Sequence, residues 1–212
     1  MEQPTEIAVD AVVREAQIKR SGNPASTLNS APPASRFYAT LVPKRYRGKT
    51  LENFTGSIGQ ARDAILADSG VFITGSCGTG KTHLAVGLLF EWLDHKPQEK
   101  NNPPIFLPAV EFFAELKSAM DQKIPEVQIL DKYSYPPLLV IDDIGAEKIS
   151  DWSRQIFYTL IDRRYRNMKQ TIITSNLDLQ KLSELIDDRI SSRIVEMGVV
   201  VNLTGPDRRV PV

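Results

Sequence analysis

The stretch GSCGTGKTH, residues 75–83, decides the fold class of this chain. It matches the pattern G-x-x-x-x-G-K-[ST], with Gly75 and Gly80 followed by Lys81 and Thr82. The apolar run VFITG (71–75) leads into it and a helical pattern begins at Lys81, which is the strand–loop–helix context that the pattern requires. A chance match somewhere in 212 residues is expected in roughly 1% of sequences or fewer. The stretch therefore predicts a phosphate-binding loop.

The residue types of this loop suit the phosphates of ATP and a magnesium ion. Glycines allow successive backbone N–H groups to turn towards an anion, and the N-terminus of the following helix adds a partial positive charge. We expect Lys81 to contact the β- and γ-phosphates and the Thr82 hydroxyl to ligate Mg²⁺. The loop residues expected to contact ATP are Gly75, Ser76, Cys77, Gly78, Thr79, Gly80, Lys81, Thr82 and His83.

A second apolar run, LLVIDDIG (138–145), ends in two carboxylates. At a strand tip, Asp142 is expected to hold the magnesium ion together with Thr82. Asp143 is expected to orient or deprotonate the attacking water. A carboxylate also follows many ordinary strands, and the phosphate loop upstream is what favours the catalytic interpretation.

Two further polar clusters extend the candidate catalytic set. Asn176 ends the run TIITSN (171–176), where it is suited to bond the attacking water or the γ-phosphate, or to cap the next helix or turn. Arg189 and Arg193 are four residues apart and share one helical face. Either is suited to a structural salt bridge or to completing the nucleotide site of a neighbouring subunit.

The order of elements predicts an α/β fold. Short apolar runs at 71–75, 105–109, 138–145, 171–176 and 199–203 alternate with segments of helical spacing. Runs that are apolar throughout indicate strands covered on both faces, as in a parallel sheet between helices.

Composition narrows the function classes. Lys plus Arg equals Asp plus Glu at 26 each, so any nucleic-acid surface must be local. One cysteine and two histidines exclude a disulfide framework and a Cys- or His-rich metal site. No apolar run approaches the roughly 20 residues of a membrane span, and the start of the chain lacks a signal-peptide pattern. We expect a cytoplasmic protein without membrane contact.

The first 36 residues differ from the rest. Residues 21–35 carry no charge and one large apolar side chain, which is typical of a flexible linker. Before them, a narrow apolar stripe at helical spacing is formed by Val9, Val12, Val13 and Ala16. We predict a helical segment over 1–20 that docks on a partner, a linker over 21–36 and a globular domain over 37–212. A frayed or weakly docked helix is the alternative for the first segment.

The phosphate loop, LLVIDDIG, TIITSN and SSRI (191–194), in this order, resemble an AAA+ ATPase, and specifically the group that contains DnaC and IstB. That group includes bacterial replicative helicase loaders and the ATPase partners of certain transposases. The segments VPKRYRGKTLENF (42–54) and LTGPDRR (203–209) also resemble the group, so that the likeness extends over residues 37–209.

The resemblance implies a P-loop AAA+ core with a five-stranded parallel sheet of order 5-1-4-3-2 and no C-terminal helical lid domain. It assigns Lys81 and Thr82 to Walker A, Asp142 to the metal carboxylate of Walker B and Asn176 to sensor 1. Asp143 stands where most AAA+ proteins have a glutamate, which is one methylene longer. Slow ATP hydrolysis, stimulated by assembly or by DNA, is therefore expected.

The resemblance also assigns residues at the edges of the site. Arg193 matches the arginine finger that acts on the nucleotide of the next subunit in an ATP-bridged oligomer, and Arg189 is the second choice. Phe54 is expected to pack near the adenine.

The group's DNA contacts come from the helix after the second strand, here AVEFFAELKSAM (109–120). Phe112 or Phe113 would stack on a base and Lys117 would supply a cation, although a place in the core is the alternative for the rings. The basic clusters KRYRGK (44–49) and RRYR (163–166) would line a path for single-stranded DNA or form solvated faces.

Three functions fit these features. The first is an ATP-dependent loader that binds single-stranded DNA and delivers the replicative hexameric helicase, docked through the N-terminal segment, during replication initiation. The second is an IstB-like ATPase that assists a transposase on duplex DNA. The third is a small-molecule P-loop kinase, which has no use for a sensor asparagine or a finger from a neighbour. A nucleotide switch without hydrolysis remains a variant of the first two.

Overall fold

The structure is a computed structural model, and it describes residues 41–97, 102–145 and 150–208. The predicted N-terminal segment over 1–20 and the linker over 21–36 lie outside the described residues, as do residues 37–40 at the start of the predicted domain.

A parallel sheet forms the centre of the described part. Its strands are β1 (Gly70–Gly75), β2 (Ile105–Pro108), β3 (Leu138–Ile144), β4 (Gln170–Ser175) and β5 (Gly198–Leu203). They lie side by side in the order β2-β3-β4-β1-β5, and every neighbouring pair is parallel. This is the predicted order read from the opposite edge, so the predicted α/β topology is confirmed.

Helices cover both faces of the sheet. They are α1 (Gly59–Leu66), α2 (Lys81–His95), α3 (Ala109–Asp121), α4 (Glu126–Ser134), α5 (Asp151–Arg166), α6 (Leu179–Leu185) and α7 (Asp188–Met197). Among residues 204–208, which follow β5, the structure places no helix. None of the helices in the described ranges is long and apolar enough to cross a membrane.

The continuous apolar runs are explained by two separate cores. Val71 and Ile73 of β1 pack with the residues of α1 and α2, whereas Phe72 between them packs with α3, α5 and α7 on the other face. The strands β3 and β4 alternate in the same way. Because both faces are buried, no position in the middle of these strands is left for a polar residue exposed to solvent.

The amino ends of β3 and β4 are tied together by one buried cation. Arg164 of α5 is fully buried and donates hydrogen bonds to the carbonyls of Tyr133, Ser134, Pro136 and Gln170 and to the Thr171 hydroxyl. Burial lowers the pKa of Arg164 to about 9, which leaves the guanidinium protonated at neutral pH. This side chain supplies hydrogen-bond donors to backbone carbonyls at the end of α4, in the turn that follows it and at the start of β4.

We expect Arg164→Met to lower the free energy of unfolding by about 3 kcal/mol or more, because several buried carbonyls would lose their donor. The control is Arg166→Met on the same helix, whose exposed ion pair with Asp162 is worth about 1 kcal/mol or less. Denaturant unfolding of both variants makes the comparison, and equal losses would contradict the structural role given to Arg164.

Candidate nucleotide-binding site

The loop between β1 and α2 has the geometry that the sequence predicts. Gly80 lies directly before the first residue of α2 with φ of +99°, in the left-handed region that favours glycine. A Cβ atom at Gly80 would lie 3.1 Å from Phe54 Cε2 and 3.3 Å from an Arg208 nitrogen. A side chain at this position would therefore be strained, and Phe54 and Arg208 lie close to the loop here.

Lys81 connects the loop to the end of β4. Its Nζ donates to the carbonyls of Gly75 and Ser76, each at 2.9 Å, and to Asn176 Oδ1 at 2.5 Å. The side chain is buried between these groups. A cation held at the loop, at the N-terminus of a 15-residue helix, makes this point strongly favourable for phosphate.

Thr82 and Asp142, the two predicted magnesium ligands, are brought together by the fold. Thr82 Oγ1 donates to Asp142 Oδ2 at 3.1 Å, and Thr174 Oγ1 of β4 donates to the other carboxylate oxygen at 2.7 Å. Burial raises the pKa of Asp142, with a contribution from the neighbouring Asp143 charge, while the two hydroxyl bonds and the Lys81 charge act in the opposite direction.

A bulge near the end of β3 separates the two consecutive carboxylates. The register with β4 shifts between Ile141 and Ile144, and Asp143 takes a left-handed φ of +62°. Its backbone N–H donates to Thr174 Oγ1 at 2.8 Å, which holds this strained conformation. As a result Asp142 is buried at the strand tip while Asp143 is exposed.

Asp143 and Asn176 form the outer part of the site. Asn176 Nδ2 donates to Asp143 Oδ1 at 2.9 Å, while Asn176 Oδ1 accepts from Lys81. The NH₂ and the oxygen of the amide thus both form hydrogen bonds. Asn176 links Asp143, the candidate water-activating carboxylate, to the phosphate-binding Lys81.

Residues 48–56 form the side of the loop where the adenine of ATP is expected. His83 Nε2 lies 3.0 Å from the Thr50 carbonyl and 2.7 Å from Asn53 Oδ1; both oxygens accept, so this nitrogen carries the ring proton. The Phe54 ring meets His83 edge-on at 5.2 Å between ring centroids. Burial lowers the pKa of His83, which keeps the imidazole neutral. His83 therefore holds the segment that carries Phe54 on the start of α2.

These residues fit ATP with magnesium. Mg²⁺ binds few protein ligands besides phosphate oxygens and water, and a threonine hydroxyl beside a buried carboxylate is a donor set of that kind. Across 41–97, 102–145 and 150–208 there is no cluster of three His, Cys, Asp or Glu residues suited to a metal held by protein alone. A metal that arrives with the nucleotide is what the donor set supports.

The sequence profile of the IstB-like ATP binding protein family matches residues 61–205. The chain belongs to this family.

Its relatives include replication proteins. The replicative helicase loader DnaI of Bacillus subtilis is 26% identical over 155 residues, which are 67% of this chain and 48% of DnaI. The crystal structure of the DnaC helicase loader superposes with a TM-score of 0.65 at 28% identity, covering 76% of this chain and all of that one. The replication initiator DnaA, in a structure bound to AMPPCP and single-stranded DNA, gives a TM-score of 0.61 at 26% identity and covers 78% of this chain and 51% of that one. The chain thus spans about half the length of DnaI, and its fold is the P-loop AAA+ fold of the helicase loaders.

In this member of the IstB-like family, Arg189 and Arg193 lie apart from the phosphate loop, on α7. Arg193 pairs with Asp162 of α5 at 2.6 Å, and its side chain is only 21% exposed. Arg189 pairs with Asp187 at 2.8 Å and is 63% exposed. Both guanidinium groups face the ring of Tyr158, with Cζ of Arg193 4.8 Å and Cζ of Arg189 4.1 Å from the ring centre. Both arginines therefore form salt bridges, which was one of the two roles that the sequence suggested for them. The other role, towards the nucleotide of a neighbouring subunit, stays a prediction.

The expectation that Phe112 stacks on DNA is wrong for this fold. Its ring is 1% exposed and packs against Phe113, Tyr133 and Phe157 in the core beneath α3. Phe112 instead occupies the core, which was the alternative that the sequence left for this ring. Lys117 is exposed on the same helix and stays available to a partner.

The cations of the RRYR cluster make contacts within the chain. Arg163 pairs with Asp131 at 2.8 Å, Arg166 pairs with Asp162 at 2.8 Å, and Arg164 is buried. The KRYRGK cluster differs, because Lys44, Arg45 and Arg47 are exposed.

Sequence reasoning missed one residue of the site, Thr174. Thr174 holds both carboxylates, and its signal was a polar residue within the apolar run TIITS. Arg208 reaches Phe54 and Gly80 from the end of the described chain.

We expect Thr174→Val to keep the fold and to slow magnesium-dependent ATP hydrolysis about 10- to 100-fold, because the isosteric side chain removes the bonds that place Asp142 and Asp143. Thr159→Val, on α5 with its hydroxyl bonded to its own helix, is the control. A steady-state ATPase assay compares the two. Equal rates for wild type and Thr174→Val would show that the hydroxyl does not position the carboxylates.

Proposed function

We propose that this chain is an ATP-hydrolysing helicase loader, which binds single-stranded DNA and delivers the replicative helicase. The observation that supports it most is the joined set Lys81, Thr82, Asp142, Asp143 and Asn176 in a chain whose fold likeness extends over the whole DnaC loader structure. Phosphate-binding and water-activating groups in hydrogen-bond contact are what hydrolysis requires.

The positions of these side chains suggest a role for each of them in ATP binding and hydrolysis. Lys81 and the loop N–H groups bind the β- and γ-phosphates, and Thr82 with Asp142 holds the magnesium ion that arrives with ATP. Asp143, exposed beside Asn176, accepts a proton from the attacking water while the amide keeps the carboxylate in place. The left-handed backbone at Asp143 leaves its carboxylate exposed, whereas Asp142 is buried.

The second part of the proposal is that α7 completes the site of a neighbouring copy. Arg193 is our first choice for the trans-acting cation, and Arg189 is the second. The Tyr158 ring against both guanidinium groups keeps them on one surface, and Arg189 is the more exposed of the two. In the assembly, Arg193 must exchange its bond with Asp162 for a phosphate of the neighbour.

DNA is proposed to follow exposed cations. Lys117 on α3 and the group Lys44, Arg45 and Arg47 are exposed. In the RRYR cluster, by contrast, Arg163 and Arg166 form ion pairs and Arg164 is buried. Repetition of a modest patch along an oligomer supplies phosphate contacts that a chain of zero net charge lacks on its own.

An ATPase that assists a transposase is the second candidate, and the match to the IstB-like profile favours it. It would use the same nucleotide site but would act on duplex DNA. A small-molecule kinase is not supported, because Asn176 bonds Asp143 and Lys81 at the strand ends, where a kinase needs room for its acceptor.

The loader proposal is tested by capture of the purified replicative hexameric helicase of the same host on the immobilised full chain, with ATP and Mg²⁺. We expect capture by wild type and its loss when Val12 and Val13 are both replaced by Asp, because the apolar stripe predicted to dock would carry two charges. Ala11→Asp, on the opposite side of the predicted helix, should still capture the helicase. No capture by wild type, together with retention of duplex DNA, would favour the transposase partner instead.

The trans arrangement is tested by mixing two inactive variants. We expect Arg193→Ala to lower ATP turnover of the assembly by about 10³-fold while ATP binding persists. Addition of Lys81→Ala chains, which keep Arg193 but lack the phosphate-binding lysine, should restore turnover. Restoration by Lys81→Ala that also carries Arg193→Ala, or full activity of Arg193→Ala alone, would contradict the assignment, and the same series with Arg189→Ala would then decide the second choice.

A further inference from the structure

The facing side chains of α5 and α7 form two matching rows. Residues three and four positions apart lie on one face of a helix. The row on α5 consists of Tyr158, Asp162 and Tyr165. The row on α7 has the same spacing and consists of Arg189, Arg193 and Glu196. Ring contacts, a salt bridge and a hydrogen bond join the two rows, so that the arginines lie against aromatic and acidic side chains of α5.

The ring of Tyr158 contacts both arginines. Cζ of Arg189 lies 4.1 Å from the ring centre, and Cζ of Arg193 lies 4.8 Å from it. The face of an aromatic ring attracts a guanidinium group at such a distance, whether or not that group also binds a carboxylate. Tyr158 itself packs against the core beneath α5. The ring therefore offers the two arginines a surface that is fixed by the fold.

The bond between Arg193 and Asp162 is one that Arg193 can leave at low cost. Arg193 donates to Asp162 Oδ1 from Nε at 2.9 Å and from Nη2 at 2.6 Å. The other carboxylate oxygen of Asp162 lies 2.8 Å from Nη2 of Arg166. Because Arg166 keeps this contact when Arg193 moves away, Asp162 does not become a partly buried charge without a partner, which would be costly.

The end of the rows that carries Tyr158 is open to solvent. Tyr158 and Arg189 line a groove of about 330 Å³ between the first turns of α5 and the junction of α6 and α7. The phosphates of a nucleotide bound to a neighbouring copy therefore have access to this surface.

We propose that Tyr158 is a positioning residue for the trans-acting arginine. The proposal rests on the proposed function, in which Arg193 reaches the nucleotide of a neighbouring copy. The ring keeps the guanidinium group on the surface shared by α5 and α7 while Arg193 exchanges Asp162 for a phosphate. Without the ring, an arginine that has left Asp162 would turn about several single bonds, and ordering it again would cost side-chain entropy.

The test mixes two kinds of full-length chain in ATP and Mg²⁺. Acceptor chains carry Arg193→Ala and lack the arginine, whereas donor chains carry Lys81→Ala and supply the arginine without turning over ATP. We expect donors that also carry Tyr158→Leu, which keeps apolar bulk without the ring, to restore about three- to tenfold less turnover at saturating donor concentration. The loss is partial because the Tyr165 ring, 5.6 Å from Cζ of Arg193, remains. Donors with Tyr158→Phe should restore as much turnover as Lys81→Ala alone, because the ring face is kept.

The control is to place Tyr158→Leu in the acceptor chain instead. We expect turnover restored by Lys81→Ala donors to be unchanged there, because the acceptor has already lost the arginine that the ring positions. Donors with Tyr135→Leu, which replaces an exposed tyrosine at the end of α4, should also restore turnover fully.

Equal losses from Tyr158→Leu in donor and acceptor would indicate a general effect on the fold and would overturn the proposal. Full restoration by donors with Tyr158→Leu, or a change only in the donor concentration needed for saturation, would overturn it as well and leave the trans arrangement intact. Absence of restoration by Lys81→Ala donors without further changes would overturn both the trans arrangement of the proposed function and the role of Tyr158.

Discussion

One buried hydroxyl, that of Thr174, carries the constraint on which the site depends. It donates to Asp142 and accepts the N–H of Asp143, so it fixes the two carboxylates in different directions at the tip of β3. Without that bond, the left-handed backbone at Asp143 would have no compensating contact in the strand beside it. Asp142 then stays with Thr82, and Asp143 stays with Asn176, which binds Lys81. The chain of contacts crosses β1, β3 and β4 and makes their carboxyl ends a single site.

The amino ends of the same two strands are held by other side chains. Arg164 gathers carbonyls at the amino ends of β3 and β4, and Gln170 there bonds Trp92 of α2 and the Ile65 carbonyl at the end of α1. Between these polar ends the strands bury only apolar side chains on both faces. The apolar middle of these strands therefore lies between two polar ends. Arg164 and Gln170 connect the amino ends to the helices, and the residues of the candidate site lie at the carboxyl ends. This division agrees with the rule that ligands of parallel α/β sheets bind at the carboxyl ends of the strands.

The sequence predicted the strands to within one residue at each end and the meeting of Lys81, Thr82, Asp142, Asp143 and Asn176, and the resemblance to the AAA+ group supplied the strand order. Apolar runs and the spacing of the glycine loop are local signals, and parallel strands bring their ends to one edge. The sequence left two places open for Phe112, the core and a DNA surface, and it did not predict the burial of Arg164 or the ion pairs of the RRYR cluster, because each depends on which helix packs against which. The contacts of Arg208 with Phe54 and Gly80 depend on the folded chain in the same way, because these residues are distant in the sequence.

The most direct test of the nucleotide site is a calorimetric titration of ATP into the full chain, with Mg²⁺ and again in EDTA, beside the same titration of Lys81→Ala. We expect one ATP bound per chain, binding at least about tenfold weaker without magnesium, and no measurable binding by the variant. The same affinity for wild type and Lys81→Ala, or no binding by wild type under either condition, would contradict a nucleotide site at the ends of β1, β3 and β4.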